Sequence, residues 1–364
     1  MKTYCLYDIL VVIIEDEVSS SVAKAIDFQL NHFALKTADE NMPTDYVINV
    51  KSYSKLNRKN YPGLVNNYNY NGQWDEYCID SLGKLAIVKT PKGYDIYCIQ
   101  PNFLITIFIQ LLFLNNGIYF IHSAGIVNRD NKAILLTGAG GVGKTASING
   151  FISDLGYKLL GDDIIAIKSN GDCLPFPRSF IIKEYHENVY PEIYMNFKKS
   201  PWQAIMTSIK EFIRLNAPFR EVIRNYLIKK GIKESVMSGW HKESYVAAVP
   251  VSHIFGKDAV CQAAKSILII DLVRYKGDEF KYVQVEKTEM LSRLNSVIGF
   301  EWHTSFMPLI IMGLFGMFNM EDYKFKTSEI GRMFLSGIDK CRLYIPEKAS
   351  PGELAENLAD KIGK

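Results

Sequence analysis

Hydrophobic and polar positions alternate or cluster in short runs through the first hundred residues. "DYVINVKSY", "YCIDSLGKLAIVKT" and "GYDIYCIQ" carry β-forming residues between Gly, Asn and Pro punctuation, and predict strands. "SLGK" and "TPKGY" have the composition of hairpin turns. The opening "MKTYCLYDILVVIIEDEVSS" predicts a first strand. Its apolar run is short, acids follow it, and it lacks a small-residue cleavage site, so it does not fit a signal peptide. "NRKNYPGLVNNYNYNGQW" reads as a polar loop. Beyond Pro101 the pattern changes. "FLITIFIQLLFL", Phe103 to Leu114, predicts a buried helix stopped by Asn-Asn-Gly. "IYFIHSAGIVNRD" predicts a strand, "NKAILLTG" another, and "KTASINGFISDLG" a helix closed by Gly156. "YKLLGDDIIAIKSNGD" then reads as strand, acidic pair, strand and turn.

Later segments are more mixed. Residues from about 180 to 242 show helical spacing with a modest basic excess, and Ser200-Pro201 resembles a helix start. "KSILIIDLVRY" predicts a buried strand, and "FMPLIIMGLFGMF" a second buried helix. "SPGELAENLADKIGK" predicts an amphipathic terminal helix. The expected organisation is a β-rich region over 1–100 and an α/β domain over 101–320. That domain carries a helical insertion at about 181–243, and a helical tail follows over 321–364.

Composition narrows the classes. The chain has 364 residues, 48% of them hydrophobic, so a sizeable core is expected. A net charge of +3 is too balanced to argue for nucleic acid or an anionic membrane as partner. The two apolar runs fall well short of the roughly 20 residues a bilayer span needs. Six scattered cysteines form no CxxC pair, so reduced thiols and a cytoplasmic setting are expected. A homo-oligomer is compatible with these features and not indicated by them.

One stretch carries specific chemistry. Gly138, Ala139, Gly140, Gly141, Val142, Gly143, Lys144 and Thr145 satisfy GxxxxGK[ST] between an apolar strand and a helix. Glycines let the backbone turn sharply and aim successive N–H groups at phosphate oxygens. The helix start adds positive potential at the same place. Lys144 is expected to reach the outer phosphates and Thr145 to ligate Mg2+, which makes ATP and Mg2+ the expected cofactors. Ala139 stands where partition-type ATPases carry a second lysine, which weakens that alternative.

Asp162 and Asp163 follow one short helix later. A strand running back beside the first would bring them to the phosphates, one to hold Mg2+ and the other to accept a proton from an attacking hydroxyl. Gly-Asp-Asp is also good turn chemistry. His122, in an apolar strand, is either a core histidine or a partner that tunes an aspartate. Arg178, Lys183 and Arg274 are further cationic candidates.

From "HSAGIV" through "AILLTGAGGVGKTASINGFISDLGYKLLGDDIIAI" the chain resembles the catalytic core of HPr kinase/phosphorylase and its relatives, which share a fold with phosphoenolpyruvate carboxykinase. The likeness covers roughly residues 119 to 180. It implies an α/β HPr kinase-like P-loop core with an N-terminal β-rich region and a helical insertion. It implies an ATP site at Gly138–Thr145, one of Asp162 and Asp163 as base, and His122 in support. It also implies metal contacts from Thr145 and one of the two aspartates, with Asp163 the first choice. The family's second signature, a glycine-arginine stretch with a trailing glutamate, has no counterpart here. The HPr kinase-related peptide-tailoring serine kinases are therefore the nearer analogy. The expected acceptor is a hydroxyl, serine first, on a peptide, protein or small metabolite. The rival expectation is a switch module that binds and slowly hydrolyses ATP while acting on a protein partner.

Overall fold

The computed structural model describes residues 1–35, 44–61, 64–65, 70–81, 83–99, 104–182, 247–301 and 307–362. The chain divides into two compact units, Met1–Ser179 with Pro250–Lys364, and Phe180–Val249. It is a mixed α/β protein whose sheets contain parallel strand pairs.

In the larger unit the first sheet takes β1 (Lys2–Leu6), β2 (Leu10–Ile14), β3 (Tyr46–Ser52), β4 (Leu64–Val65), β5 (Tyr70–Gln73), β6 (Tyr77–Asp80), β7 (Leu85–Thr90) and β8 (Gly93–Cys98). Their order is β1-β2-β3-β8-β7-β6-β5-β4. Helix α1 (Ser20–Leu30) lies between β2 and β3, which pair in parallel. The expected single first strand is a hairpin. Tyr7 and Asp8 both take positive φ, 53° and 59°, which closes β1 onto β2. The loop between paired Leu6 and Leu10 is Tyr7-Asp8-Ile9, turned by the two left-handed residues without Gly or Asn. The turns expected at "SLGK" and "TPKGY" join β6 to β7 and β7 to β8.

Helix α2 (Leu104–Leu114) leads into the second sheet. That sheet takes β9 (Ile118–Ile121), β10 (Ser123–Val127), β11 (Lys132–Thr137), β12 (Lys158–Gly161), β13 (Ile165–Lys168) and β14 (Asp172–Leu174). The smaller unit has its own two-stranded sheet, β15 (Phe180–Ile182) paired with β16 (Ala247–Val249). The rest of the insertion at 181–243 lies outside the described residues. The second sheet is completed by β17 (Ala264–Tyr275), β18 (Lys281–Gln284) and β19 (Asp339–Pro346). Its main path is β12-β10-β11-β17-β14-β13-β9, with β19 also on β17 and β18 on β19.

Three expectations about this sheet are corrected. "IYFIHSAGIV" is two strands, broken at His122: β9 pairs with β13, while β10 pairs with β11 and β12. The stretch 321–364, expected to be helical, contains β19, which runs parallel to β17. "YKLLG" supplies β12, whose partner is β10 and not β11.

Strand β11 is buried from Ala133 to Thr137, as expected of a strand inside a partly parallel sheet. Helix α3 (Lys144–Ser153) follows it and contacts β10 and β12. Helices α4 (Lys287–Glu301), α5 (Met307–Leu314), α6 (Met320–Ser336) and α7 (Pro351–Ile362) complete the unit. Ser350 and Glu353 form a reciprocal N-terminal cap on α7, which packs on α3. One apolar core runs through both sheets, from Tyr4, Ile48 and Ile96 to Phe120, Leu135 and Ile269. Aromatic edges join within it: Tyr7 on Phe113, Phe113 on Phe120, and Phe120 on Phe176, each pair 5.1–5.7 Å apart. No described helix is long and apolar enough to cross a membrane.

Candidate functional site

The site is built by pairing registers. In β10 and β11, Ser123 lies opposite Thr137, so the next residues outward, His122 and Gly138, sit side by side. The Thr137 hydroxyl donates to the His122 carbonyl at 3.0 Å and fixes that junction. In β10 and β12, Gly125 lies opposite Gly161, so the acidic pair after Gly161 comes level with the start of β10. Two local pairings thus gather the glycine turn, His122 and both aspartates at one sheet end.

The turn depends on glycine at its two ends. Gly138 has φ 137°, and a Cβ there would lie 2.6 Å from the Leu272 carbonyl oxygen. Gly143 has φ 112°, and a Cβ would lie 2.8 Å from Leu354 Cδ2 on α7. An L side chain is disfavoured at both positions by backbone strain and by contact. Helix α3 begins at Lys144 immediately after. Lys144 is buried, and its Nζ donates to the carbonyls of Gly138 at 2.7 Å and Ala139 at 3.1 Å.

The aspartates separate in role-bearing directions. Thr145 Oγ1 donates to Asp162, 3.0 Å from each carboxylate oxygen. Asp163 takes φ 69°, a left-handed conformation that Asp tolerates better than most residues. Its Oδ1 faces His122 Nε2 at 3.9 Å, too long for a hydrogen bond. Both ring nitrogens of His122 are buried and have no hydrogen-bond partner among the described residues. Buried polar atoms in native proteins are nearly always paired, so two orphans on one ring mark a place where a polar group fits.

Burial dominates the electrostatics. Asp162 is pushed up to about 7, first by desolvation and next by the charge of Asp163, against the Thr145 hydrogen bond and the Lys144 and Arg178 charges. His122 is pushed down to about 4, again first by desolvation, with Asp163 pulling the other way. The imidazole is therefore neutral at physiological pH. Burial also lowers Lys144, opposed by Asp163, Asp162 and Glu301.

Arg178 is a buried cation, not part of a solvated loop. Its guanidinium lies 5.1 Å from the centre of the Phe28 ring, and its charge acts on both aspartates. Arg274 is anchored by its Nη1, which donates to the carbonyls of Pro346, Glu347 and Ala349, while its Nη2 lies beside the glycine turn, 3.9 Å from where a Cβ on Gly143 would stand. Lys183 lies outside the described residues. Two acids went unread in the sequence. Asp271 on β17 is fully buried between Arg293 and Arg342, a closed ion network. Glu301, the last residue of α4, accepts from the Gly140 N–H at 2.7 Å. No group of three or more His, Cys, Asp or Glu poised for a metal is present among the described residues.

No protein-family model matches the chain, and no curated protein sequence matches it. Among solved structures it is similar to the HPr(Ser) kinase/phosphatase from Coxiella burnetii, at 11% identity and a TM-score of 0.26, over 67% of this chain and 99% of that one. The likeness is distant, and no residue role follows from it.

Proposed function

We propose that this protein is an ATP- and Mg2+-dependent kinase of the HPr kinase-like group. It transfers the γ-phosphoryl group to a hydroxyl, serine first, on a peptide, protein or small metabolite. The observation that carries this reading is the Thr145–Asp162 contact directly behind the glycine turn, with Asp163 beside His122 one residue on. Phosphoryl transfer asks for positioned charge more than covalent chemistry, and these groups offer it.

The donor set fits a hard divalent cation: one hydroxyl and one carboxylate already share a proton-mediated contact that a cation could replace. Thr145 and Asp162 would hold it, which moves the metal role from Asp163 to Asp162. Bound there, Mg2+ supplies charge neutralisation for the phosphates. The turn amides and Lys144 grip the phosphates in this reading, and Lys144 exchanges its two loop carbonyls for phosphate oxygens. Asp163 takes the acceptor's proton. Neutral His122 orients Asp163 or the incoming hydroxyl through a ring nitrogen with no other partner among the described residues.

The test is γ-labelled ATP incubated with the protein, Mg2+ and a pool of serine-bearing peptides and metabolites. Label in an acceptor hydroxyl supports the kinase. Label released only as inorganic phosphate, across the whole pool, speaks for the switch module instead.

A further inference from the structure

Helix α4 ends at Glu301, and its carboxylate reaches the middle of the glycine turn. The 2.7 Å contact from Gly140 N–H to Oε1 has the length of a charge-assisted hydrogen bond. A Cβ built on Gly140 would lie only 3.3 Å from the same oxygen, so the carboxylate rests directly on the turn. Its charge is also felt deeper in the site, where it favours the protonated forms of Lys144 and His122.

The placement has no local rationale. A carboxylate at a helix C-terminus faces the negative end of the helix dipole. Asp162 and Asp163 add like charge at the same sheet end. What holds Glu301 there is the attraction that turns of this kind have for anions: main-chain N–H groups pointing inward with no side chain in the way. A main-chain N–H makes one strong hydrogen bond. The Gly140 amide therefore serves either Glu301 or a phosphate oxygen. A polyphosphate entering the turn also meets the Glu301 charge at contact distance, at an exposed contact that solvent screens in part.

We infer that Glu301 is a built-in competitor for the phosphate site, holding the Gly140 amide in the nucleotide-free protein and leaving when a polyphosphate seats. This rests on the nucleotide reading above and deepens it: the contact sets the threshold concentration at which the turn fills. It is an intramolecular anion, so its effective concentration is fixed by the fold and unaffected by dilution. A second ligand that drew Glu301 away would raise nucleotide affinity, and one that stabilised the end of α4 would lower it.

The experiment is equilibrium binding of ATP, and separately of inorganic tripolyphosphate, to the wild type, Glu301→Gln and Glu301→Ala. Glutamine keeps the shape and removes the charge, and alanine removes the reach. Neither change opposes the helix, because both relieve the unfavourable charge at its end, and melting curves check that each variant folds. Both variants should bind both probes about tenfold more tightly than the wild type, the factor expected when a charge-assisted contact no longer competes. Saturable binding of both probes in which neither variant binds more tightly than the wild type overturns the competitor and leaves the nucleotide site standing. No saturable binding of ATP to any of the three overturns both.

Discussion

The hydroxyl of Thr145, one residue into α3, donates to Asp162 from 3.0 Å away, across a gap that joins the glycine turn to the end of β12. Their burial makes this contact consequential, since Asp162 is largely removed from water and pushed up to about 7. A cation replacing the shared proton would restore the ionised carboxylate. Thr145→Val should therefore raise the Mg2+ concentration for half-maximal activity on the order of tenfold or more. ATP binding without Mg2+ should change little. Titrating Mg2+ at saturating ATP measures the first, and metal-free calorimetry the second.

Asp163→Asn isolates the proton acceptor. Asparagine tolerates the left-handed backbone that Asp163 adopts, so the turn is expected to survive. With the acceptor gone, turnover should fall about a hundredfold to ten-thousandfold while the KM for ATP stays nearly constant. Steady-state kinetics on the labelled acceptor give both numbers. Equal losses in kcat and ATP affinity would place Asp163 on the nucleotide instead.

Stability against pH separates Asp162 from His122, because their shifts have opposite signs. Asp162 is raised from 3.8 to about 7, so its protonated form is favoured by folding and its contribution is lost as pH rises through that window. His122 is lowered from 6.5 to about 4, so its contribution is present above 6.5 and is lost as pH falls toward 4. The two nearly offset in the wild type. Asp162→Asn should gain stability over the wild type increasingly as pH rises from 4 to 7. His122→Gln should gain over the wild type increasingly as pH falls from 6.5 to 4. Urea midpoints at several pH values read both trends, and parallel curves for all three proteins would refute the assignments.

The turn's fit against α7 gives a structural prediction. Gly143→Ala places a methyl group 2.8 Å from Leu354 Cδ2 on a left-handed backbone. It should destabilise the fold by about 1–3 kcal/mol. Leu354→Ala alone should cost about 2–5 kcal/mol, since Leu354 is fully buried. The double variant should lose less than the sum, because one change makes room for the other. Thermal melts of the four proteins complete the cycle.

Local signals in the sequence were strong where chemistry constrains the chain at short range. The glycine turn between apolar strand and helix, the α2 stop at Asn115-Asn116-Gly117, and the Ser350-Pro351 start of α7 are all written in contiguous residues. The turn at Tyr7-Asp8 escaped because Tyr rarely takes a left-handed backbone and no Gly follows Asp8. The break at His122 escaped because "IYFIHSAGIV" is apolar on both sides of His122 and Ser123, and only pairing with β13 on one side and β11 on the other divides it. Glu301 escaped for a different reason: it meets Gly140 across 161 residues, and nothing local to α4 points at the turn. Arg178 looked as much like a surface residue as a site residue, because the burial that gives it weight comes from α1 and Phe28.

Titration calorimetry of Mg2+·ATP into the wild type and Lys144→Ala tests the central claim most directly, which is that the Gly138–Thr145 turn grips a triphosphate. Saturable binding to the wild type, lost or weakened about a hundredfold in Lys144→Ala, is the predicted result. Equal affinity in both proteins, or no binding to the wild type at millimolar ATP, would contradict it.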